Sequence, residues 1–350
     1  MNFSPATNIV ETVNDSMYAV LGKDLTGYDL VKKGGNSSVY RLSYGNYGQY
    51  ALKNYPPLTV DPRNRLAVEF GALQFLRDMG ETQVPLPILA LEALNAGVYE
   101  WIDGKCLQTY GYQDIEHALL FLRRVHRLIR HPDAIHFPSA SEACLSYHEV
   151  KQQLSNRWQR LYAHAHSDLS LKQFLEQSYK PSEQKIVAYL EKTLVPHAGS
   201  FVAGTPQEKL TLSPSDFGFH NAIKRPNGEL VFMDFEYFGW DDPAKLIADF
   251  LWHPGMKLAG ELKQAFVNGA LQIYGDIELA TRLKIVYPLC GLRWCLIMLN
   301  EFLPDGKAKR QHSGRLTEKD ESALLAEQLQ KAEHTLLRVL ETYKNFPYAN

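Results

Sequence analysis

Three side chains in the second half of the chain have the types and spacing to transfer a phosphoryl group. Asp216 is followed five residues later by Asn221, within Leu212-Ser213-Pro214-Ser215-Asp216-Phe217-Gly218-Phe219-His220-Asn221, and Asp234 closes the apolar run Val231-Phe232-Met233. Phosphoryl transfer asks little covalent chemistry of a protein. It needs a carboxylate to orient the attacking hydroxyl and accept its proton, and oxygen ligands that hold Mg²⁺ against the phosphates. Asp216 and Asn221 offer a base and one ligand from a single loop. Asp234 offers a second ligand, and Mg²⁺, a hard cation, takes such oxygen donors. Asp-x4-Asn alone is common, and both residues readily make turn contacts. Its weight here comes from its place between two strand-like runs, Lys209 to Leu212 and Leu230 to Phe235, with Asp234-Phe235-Glu236 ending the second.

Support comes from the first hundred residues. Lys53 lies in the strand-like Tyr50-Ala51-Leu52-Lys53, where alternation puts Ala51 on the same face. A small side chain there leaves room for an adenine ring, and the ammonium can reach phosphate oxygens. Glu69, sixteen residues on and in mid-helix, can pair with that lysine; a solvated glutamate is the plainer alternative. Upstream, in Lys33-Gly34-Gly35-Asn36-Ser37-Ser38, glycines would let backbone N–H groups approach phosphates. The stretch is neither a Walker A loop nor a full GxGxxG, and an ordinary hairpin turn fits it as well.

The elements that must position these residues are legible in outline. Alternation over Val39 to Tyr44 and Tyr50 to Tyr55, around a turn with Gly45, Asn46 and Gly48, predicts two strands. A helix follows, with Asp61 as N-cap, Pro62 at its first position, Leu66, Phe70, Leu73 and Leu76 on one face and Gly80 at its stop. Ile88 to Ile102 is a second strand region. After Asp103-Gly104 helical spacing dominates: near 114–130, 147–163, 170–177 and 182–194, and again from Pro243, with a polar interruption at Pro304 to Gly314. The expected class is α+β: a strand-rich ATP-binding part, 1–103, and a mostly helical catalytic and acceptor-binding part, 104–350.

Composition excludes several functions. A length of 350 residues suits two lobes. The net charge of −2 lacks the basic excess of a nucleic-acid binder, and neither end carries a charged tail. Cys106, Cys144, Cys290 and Cys295 form no zinc spacing and no CxxC pair, so a reducing compartment is the simpler reading. Cys290 and Cys295 lie in an apolar run, where free cysteine packs as a small hydrophobe. The first twenty residues do not have the form of a signal peptide, and no run of about 18 uncharged apolar residues suggests a membrane span. A cytoplasmic protein, with no nucleic-acid or membrane partner, is the default expectation.

Together Lys53, Glu69, Asp216-x4-Asn221 and Asp234-Phe235-Glu236 resemble the aminoglycoside phosphotransferase/choline kinase group, in order and rough spacing, from about Gly27 to Phe250. The resemblance implies a protein-kinase-like two-lobe fold. It implies ATP and Mg²⁺ as cofactors, Asp216 as catalytic base, and Asn221 and Asp234 as metal ligands. Lys53 would contact the α/β-phosphates, held by Glu69, with Gly34, Gly35, Ser37 and Ser38 covering the phosphates. Ala51 would face the adenine, and Glu100-Trp101-Ile102 would be the interlobe linker meeting it by backbone. The acceptor would be a small-molecule hydroxyl: an amino alcohol, as Asp234-Phe235-Glu236-Tyr237 suggests, a sugar, or an aminoglycoside. Two departures stand out. Pro214 occupies the place, two before the base, where relatives carry a histidine. Glu236 stands where protein kinases have glycine, which with the missing Ala-Pro-Glu motif argues against a protein substrate. A non-catalytic nucleotide-binding module is the alternative.

Other residues have quieter readings. Asp242-Pro243 is expected to open a helix, with Asp249 further along it as a support for the catalytic loop. His126 is expected to be packed or capped, and His220 solvated unless it contacts substrate. Tyr237, Trp240 and Trp252 are either core or an aromatic wall for a cationic acceptor.

Overall fold

The computed structural model describes residues 5–33, 37–59, 61–304 and 318–348. Gly34 and Gly35, and nearly all of the polar interruption, lie outside the described residues. Packing divides the chain into two compact units, Met1–Lys105 with Ile223–Glu236, and Cys106–Ala222 with Tyr237–Asn350. The segment that carries Asp234 therefore packs with the N-terminal residues, although its first residue, Ile223, follows Lys105 by 118 positions.

 Asp234 itself follows Lys105 by 129 positions, so only packing, and no local pattern, assigns it to that unit.

The first unit is built on a five-stranded antiparallel sheet in the order β1-β2-β3-β5-β4, made of β1 (Gly27–Lys33), β2 (Ser38–Ser43), β3 (Gln49–Asn54), β4 (Pro87–Leu91) and β5 (Ala96–Glu100). Register places Lys53 of β3 opposite Val39 of β2 and Gly97 of β5. Gly97 has no room for a Cβ, because the Tyr99 hydroxyl fills that space. Tyr40, Leu42, Leu52 and Val98 turn one face of the sheet into a core, and α1 (Pro5–Leu21) covers it with Val10, Val13 and Met17. The sequence reading tested this terminus only as a signal peptide and did not propose the helix. Its apolar residues at three- and four-residue spacing were the available sign.

The helix carrying Glu69 is α2 (Arg65–Asp78), and it starts later than expected. Asn64 is its N-cap, accepting from the Ala67 N–H at 3.1 Å. Asp61 does not cap it: its carboxylate accepts instead from Arg63 Nη2 at 2.7 Å and Arg65 Nη2 at 2.6 Å. Gly80, at φ 82°, ends the helical segment as expected. Toward the chain's middle lie the two-residue β6 (Lys105–Cys106) and, beyond the helices described next, β8 (Ala222–Lys224) and β9 (Leu230–Phe232). The second of these was expected to run to Phe235. It stops three residues sooner, because Asp234 takes φ 70° and the chain turns there.

The second unit is mostly helical. α3 (Tyr112–Arg127) buries Ile115, Leu122 and Val125, and α4 (Tyr147–His164) is capped by Ser146. The two helices expected near 170–177 and 182–194 form one continuous helical run: α5 (Leu169–Gln173), a π-turn (Phe174–Tyr179) and α6 (Lys180–Thr193). Pro181 has no N–H for a regular ladder, and a widened turn just before it absorbs that loss. β7 (Thr211–Ser213) pairs antiparallel with β10 (Gly239–Asp241), Ser213 facing Gly239. It begins two residues later than expected, after a 3-10 turn over Gln207–Lys209.

Asp242 caps α7 (Pro243–Trp252), as its sequence predicts, and all ten residues of that helix are buried. α8 (Gly260–Tyr274) and α9 (Leu279–Met298) follow, and a final helix, Glu318–Thr342, packs along α9. Leu279–Phe302 is long enough to cross a bilayer and holds an 18-residue window of mean hydropathy 1.3, but 78% of that window is buried inside the fold. Cys290 and Cys295 are buried within it as packed thiols. His126 is packed too, with Nδ1 3.1 Å from Thr211 Oγ1 and its ring edge-on to Tyr274.

One buried cation is poorly matched. Lys263 of α8 has a single aromatic neighbour, the Tyr348 ring 5.6 Å away, and no hydrogen bond or ion pair among the described residues. Burial, and then the Arg338 charge, push its ammonium down to about 8. The unfolded chain, with a lysine pKa of about 10.4, binds a proton that the folded chain has released, so stability rises with pH between those two values. Lys263→Met is expected to raise unfolding stability at pH 7 by about 2 kcal/mol. Chemical denaturation checks this, and an unchanged or lower midpoint contradicts it.

Candidate active site

In the first unit, Lys53 is the centre of a carboxylate cluster. Its Nζ donates to Glu69 Oε2 at 2.6 Å and to Asp234 Oδ1 at 2.5 Å, and lies 3.2 Å from Glu236 Oε2. β3 delivers the lysine, α2 the glutamate, and the turn after β9 both Asp234 and Glu236. The pairing expected between Lys53 and Glu69 is present, and Glu69 is no solvated residue: it is 4% exposed and its Oε2 also accepts from the Tyr55 hydroxyl. Its Oε1 accepts from the Phe235 N–H at 3.3 Å, which ties α2 directly to the turn of Asp234. Glu236 in turn pairs with Arg65, which Asp61 holds from the other side. Burial pulls the Lys53 pKa down, but Asp234, Glu69 and Glu236 outweigh it and hold the ammonium well above its usual range.

The cluster has the charge balance of a cation site. Asp61, Glu69, Asp234 and Glu236 face Arg63, Arg65 and Lys53, so carboxylates exceed cations by one. Asp234 is also the most open of the three carboxylates around Lys53, its side chain 30% exposed against 5% for Glu69 and 2% for Glu236. Its φ of 70° is costly for a residue with a Cβ, by about 1–2 kcal/mol.

In the second unit, Asp216 sits in the loop after β7. His220 Nε2 lies 3.1 Å from its Oδ1, and Asn221 Nδ2 donates to its Oδ2 at 3.3 Å and to its backbone oxygen at 3.1 Å. The amide nitrogen of Asn221 is thus taken up by Asp216, which leaves the amide oxygen as the atom that could hold a metal. Burial raises the Asp216 pKa, but the hydrogen bond and charge of His220, then His253 and Asn221, bring it down to about 2. The carboxylate is ionised at neutral pH and can accept a proton. Before it, Ser215 takes φ 65°. Ser215 N–H donates to Ser213 Oγ at 3.0 Å, and its hydroxyl accepts from Lys245 Nζ at 2.9 Å. Among the described residues only four non-glycines have positive φ, and Ser215 and Asp234 are two of them. Strain of that kind gathers at functional sites.

A family model described as the phosphotransferase enzyme family matches residues 30–280. The chain belongs to the phosphotransferase enzyme family. Among solved structures its fold is similar to a spectinomycin phosphotransferase in complex with ADP and spectinomycin, with a TM-score of 0.62 and 14% identity over 95% of this chain and 98% of that one. It is also similar to a choline kinase of Streptococcus pneumoniae, with a TM-score of 0.59 and 15% identity over 95% and 99% of the two chains. An ethanolamine kinase of Plasmodium vivax gives a TM-score of 0.54 and 15% identity over 89% and 86%. No curated protein sequence matches the chain. The α+β, protein-kinase-like fold expected from the sequence is the fold observed.

Other residues singled out in this phosphotransferase-family chain take places of several kinds. Ser37 and Ser38 are half-buried at the start of β2, and Ala51 is half-buried on β3, two residues before Lys53. Glu100 ends β5; its carboxylate accepts from Arg77 Nη2 at 2.5 Å, Arg225 Nη2 at 2.8 Å and the Leu86 N–H at 3.1 Å. Trp101 donates Nε1–H to Asp103 at 3.1 Å and has Arg41 over its ring, while Ile102 is buried. Gly104 lies so close to the Lys224 carbonyl that a Cβ there would collide with its oxygen.

Of the three aromatic candidates, Tyr237 is half-buried and the two tryptophans are core. Trp240 and Trp252 are buried, with Nε1–H donated to Ala134 and Tyr287 oxygens at 2.9 and 2.8 Å. The rings beside Asp216 are His220 and His253, stacked on each other, with Trp294 edge-on to His253. His220 is not solvated. Sequence reasoning missed His253 and Lys245. His253 has no local spacing to Asp216, but Lys245 stands four residues after Asp241 and four before Asp249, a one-face helical pattern that could have been read.

Proposed function

We propose that this chain is an ATP- and Mg²⁺-dependent phosphotransferase whose acceptor is a hydroxyl of a small molecule. The observation that carries the reading is the Lys53–Glu69 pair with Asp234 on the same ammonium, 2.6 and 2.5 Å away. That is the set of groups a phosphate-binding lysine, its holder and a metal ligand require. In this reading Lys53 contacts phosphate oxygens and Glu69 keeps it extended toward them. Asn221 and Asp234 hold Mg²⁺, which would neutralise charge building on the phosphates. Asp216, ionised and fixed by hydrogen bonds, orients the acceptor hydroxyl and takes its proton. Gly34, Gly35, Ser37 and Ser38 would cover the phosphates, and Glu100 to Ile102 would meet the adenine by backbone.

The acceptor class is proposed as amino alcohol, sugar or aminoglycoside. Family membership supports a small-molecule acceptor, as does the presence of spectinomycin phosphotransferase and choline and ethanolamine kinases among proteins of similar fold. Nucleotide binding itself is open to a direct test. ATP is expected to bind more tightly with Mg²⁺ than with EDTA, and Asp234→Asn is expected to remove at least about tenfold of that difference. Isothermal titration reads both. Equal ATP affinity with and without Mg²⁺, or an unaltered difference in Asp234→Asn, contradicts the assignment of Asp234.

A further inference from the structure

Asp216 is held by two histidines that the family resemblance does not assign, and one comes from 37 residues away. His220 and His253 stack with ring centroids 3.5 Å apart and planes 13° from parallel. Both turn Nε2 toward the same oxygen, Asp216 Oδ1, at 3.1 Å from His220 and 3.6 Å from His253.

The opposite nitrogens fix the tautomers. His253 Nδ1 accepts from the Gly255 N–H at 3.1 Å, so its hydrogen is on Nε2. His220 Nδ1 is buried without a hydrogen-bond partner among the described residues. Nδ1 has no acceptor to donate to, so the hydrogen that meets Asp216 is on Nε2. The seat of the pair is specific. A Cβ on Gly218 would lie 2.8 Å from His220 Nδ1 and from Met256 Sδ. Trp294 stands edge-on to His253 at 4.8 Å and is itself tied to Asp249 through Nε1–H at 3.1 Å.

We propose that His220 and His253 act as a stacked positioning pair that holds Asp216 by Oδ1 and so presents Oδ2 to the acceptor hydroxyl. His220 donates the hydrogen bond. At 3.6 Å His253 is beyond a good one; it fixes the plane of His220 and aims a second N–H dipole at the same oxygen. Two residues before Asp216 the chain has Pro214, which offers no side-chain donor, so the carboxylate's orientation comes from this pair and from Asn221. The proposal rests on the reading of Asp216 as base.

Four variants test it: His220→Leu, His220→Gln, His253→Leu and His253→Gln. Glutamine keeps an N–H near the place of Nε2, and leucine does not. His220→Leu is expected to lower kcat by about 10- to 100-fold, with KM for ATP little changed, and His220→Gln to restore most of it. His253→Leu is expected to lower kcat by about tenfold, with partial rescue by glutamine. Melting curves of each variant separate misfolding from misplacement. Leucine variants with wild-type kcat, or glutamine variants no better than leucine, overturn the proposal. Nitrogen NMR of the imidazoles provides a readout independent of turnover. Both rings of the wild-type protein are expected to carry a hydrogen on Nε2, facing Asp216, and a ring whose Nε2 carries none overturns the pair. If the wild-type protein shows no turnover, the functional reading fails while the NMR result still decides the pair.

Discussion

Asp216→Asn is expected to lower phosphoryl transfer by about 10²- to 10⁴-fold, the range for loss of a general base, while ATP still binds. The substitution changes almost nothing but charge and basicity. An amide oxygen at Oδ1 can still accept from His220 Nε2, now 3.1 Å away, so the loop keeps its anchor. What disappears is the ionised oxygen that takes the acceptor's proton, which in the wild-type protein stays ionised down to about pH 2. Lys53, Glu69 and Asp234 are untouched, so magnesium-dependent ATP affinity is expected within about twofold of wild type. Steady-state kinetics with a competent acceptor reads the first effect and titration calorimetry the second. A variant with normal rates contradicts the assignment of the base.

Lys245→Met is expected to cost about 3–5 kcal/mol of stability, the range for removing one partner of a buried ion pair. Lys245 is 2% exposed, with Nζ 2.9 Å from Asp241 Oδ2 and 3.3 Å from Asp249 Oδ2. Asp249 keeps Arg293, both of whose carboxylate contacts are 2.7 Å long. Among the described residues Asp241 has no second cation. Its Oδ1 accepts from the Cys144 and Asp242 N–H groups at 2.9 Å, and its carboxyl, fully buried, is pushed up by burial against the pull of Lys245. With the lysine gone, Asp241 must either hold an unpaired charge or take up a proton. Asp241→Asn in the same chain is therefore expected to recover about 1–2 kcal/mol, a coupling a double-mutant cycle isolates. Lys245 also holds Ser215, so turnover is expected to fall with stability. Additive losses in the cycle would contradict the pairing.

Local sequence exposed those parts of the site whose spacing is itself the chemistry. Lys53 and Glu69 are set by a strand and the helix after it, and Asp216 and Asn221 share one loop. Even so, the same dipeptide gave one right cap and one wrong one. Asp242-Pro243 opens α7 as Asp-Pro predicts, whereas Asp61-Pro62 precedes α2 by four residues, because Arg63 and Arg65 take the Asp61 carboxylate and Asn64 caps instead. Nothing in the local pattern distinguishes them. Likewise Leu230 to Phe235 reads as one apolar strand, and only the turn at Asp234, fixed by Glu69 accepting from the Phe235 N–H, shows why it stops at Phe232. Glu236 was read as part of Asp234-Phe235-Glu236-Tyr237 and as a departure from the protein-kinase pattern, not as a partner of Lys53. Its partners, Lys53 and Arg65, stand more than 170 positions upstream, beyond any periodicity. His253 was invisible for the same reason.

The central claim is transfer of a phosphoryl group from ATP to a small hydroxyl compound, and a product assay tests it most directly. The protein would be incubated with ATP and Mg²⁺ against a panel of amino alcohols, sugars and aminoglycosides, with products followed by phosphorus NMR. The proposed function predicts that one acceptor class yields ADP and a phosphomonoester in equal amounts, and that Asp216→Asn yields neither. Magnesium-dependent ATP binding with no phosphomonoester from any hydroxyl compound would contradict it, and would point to a nucleotide-binding module without catalysis.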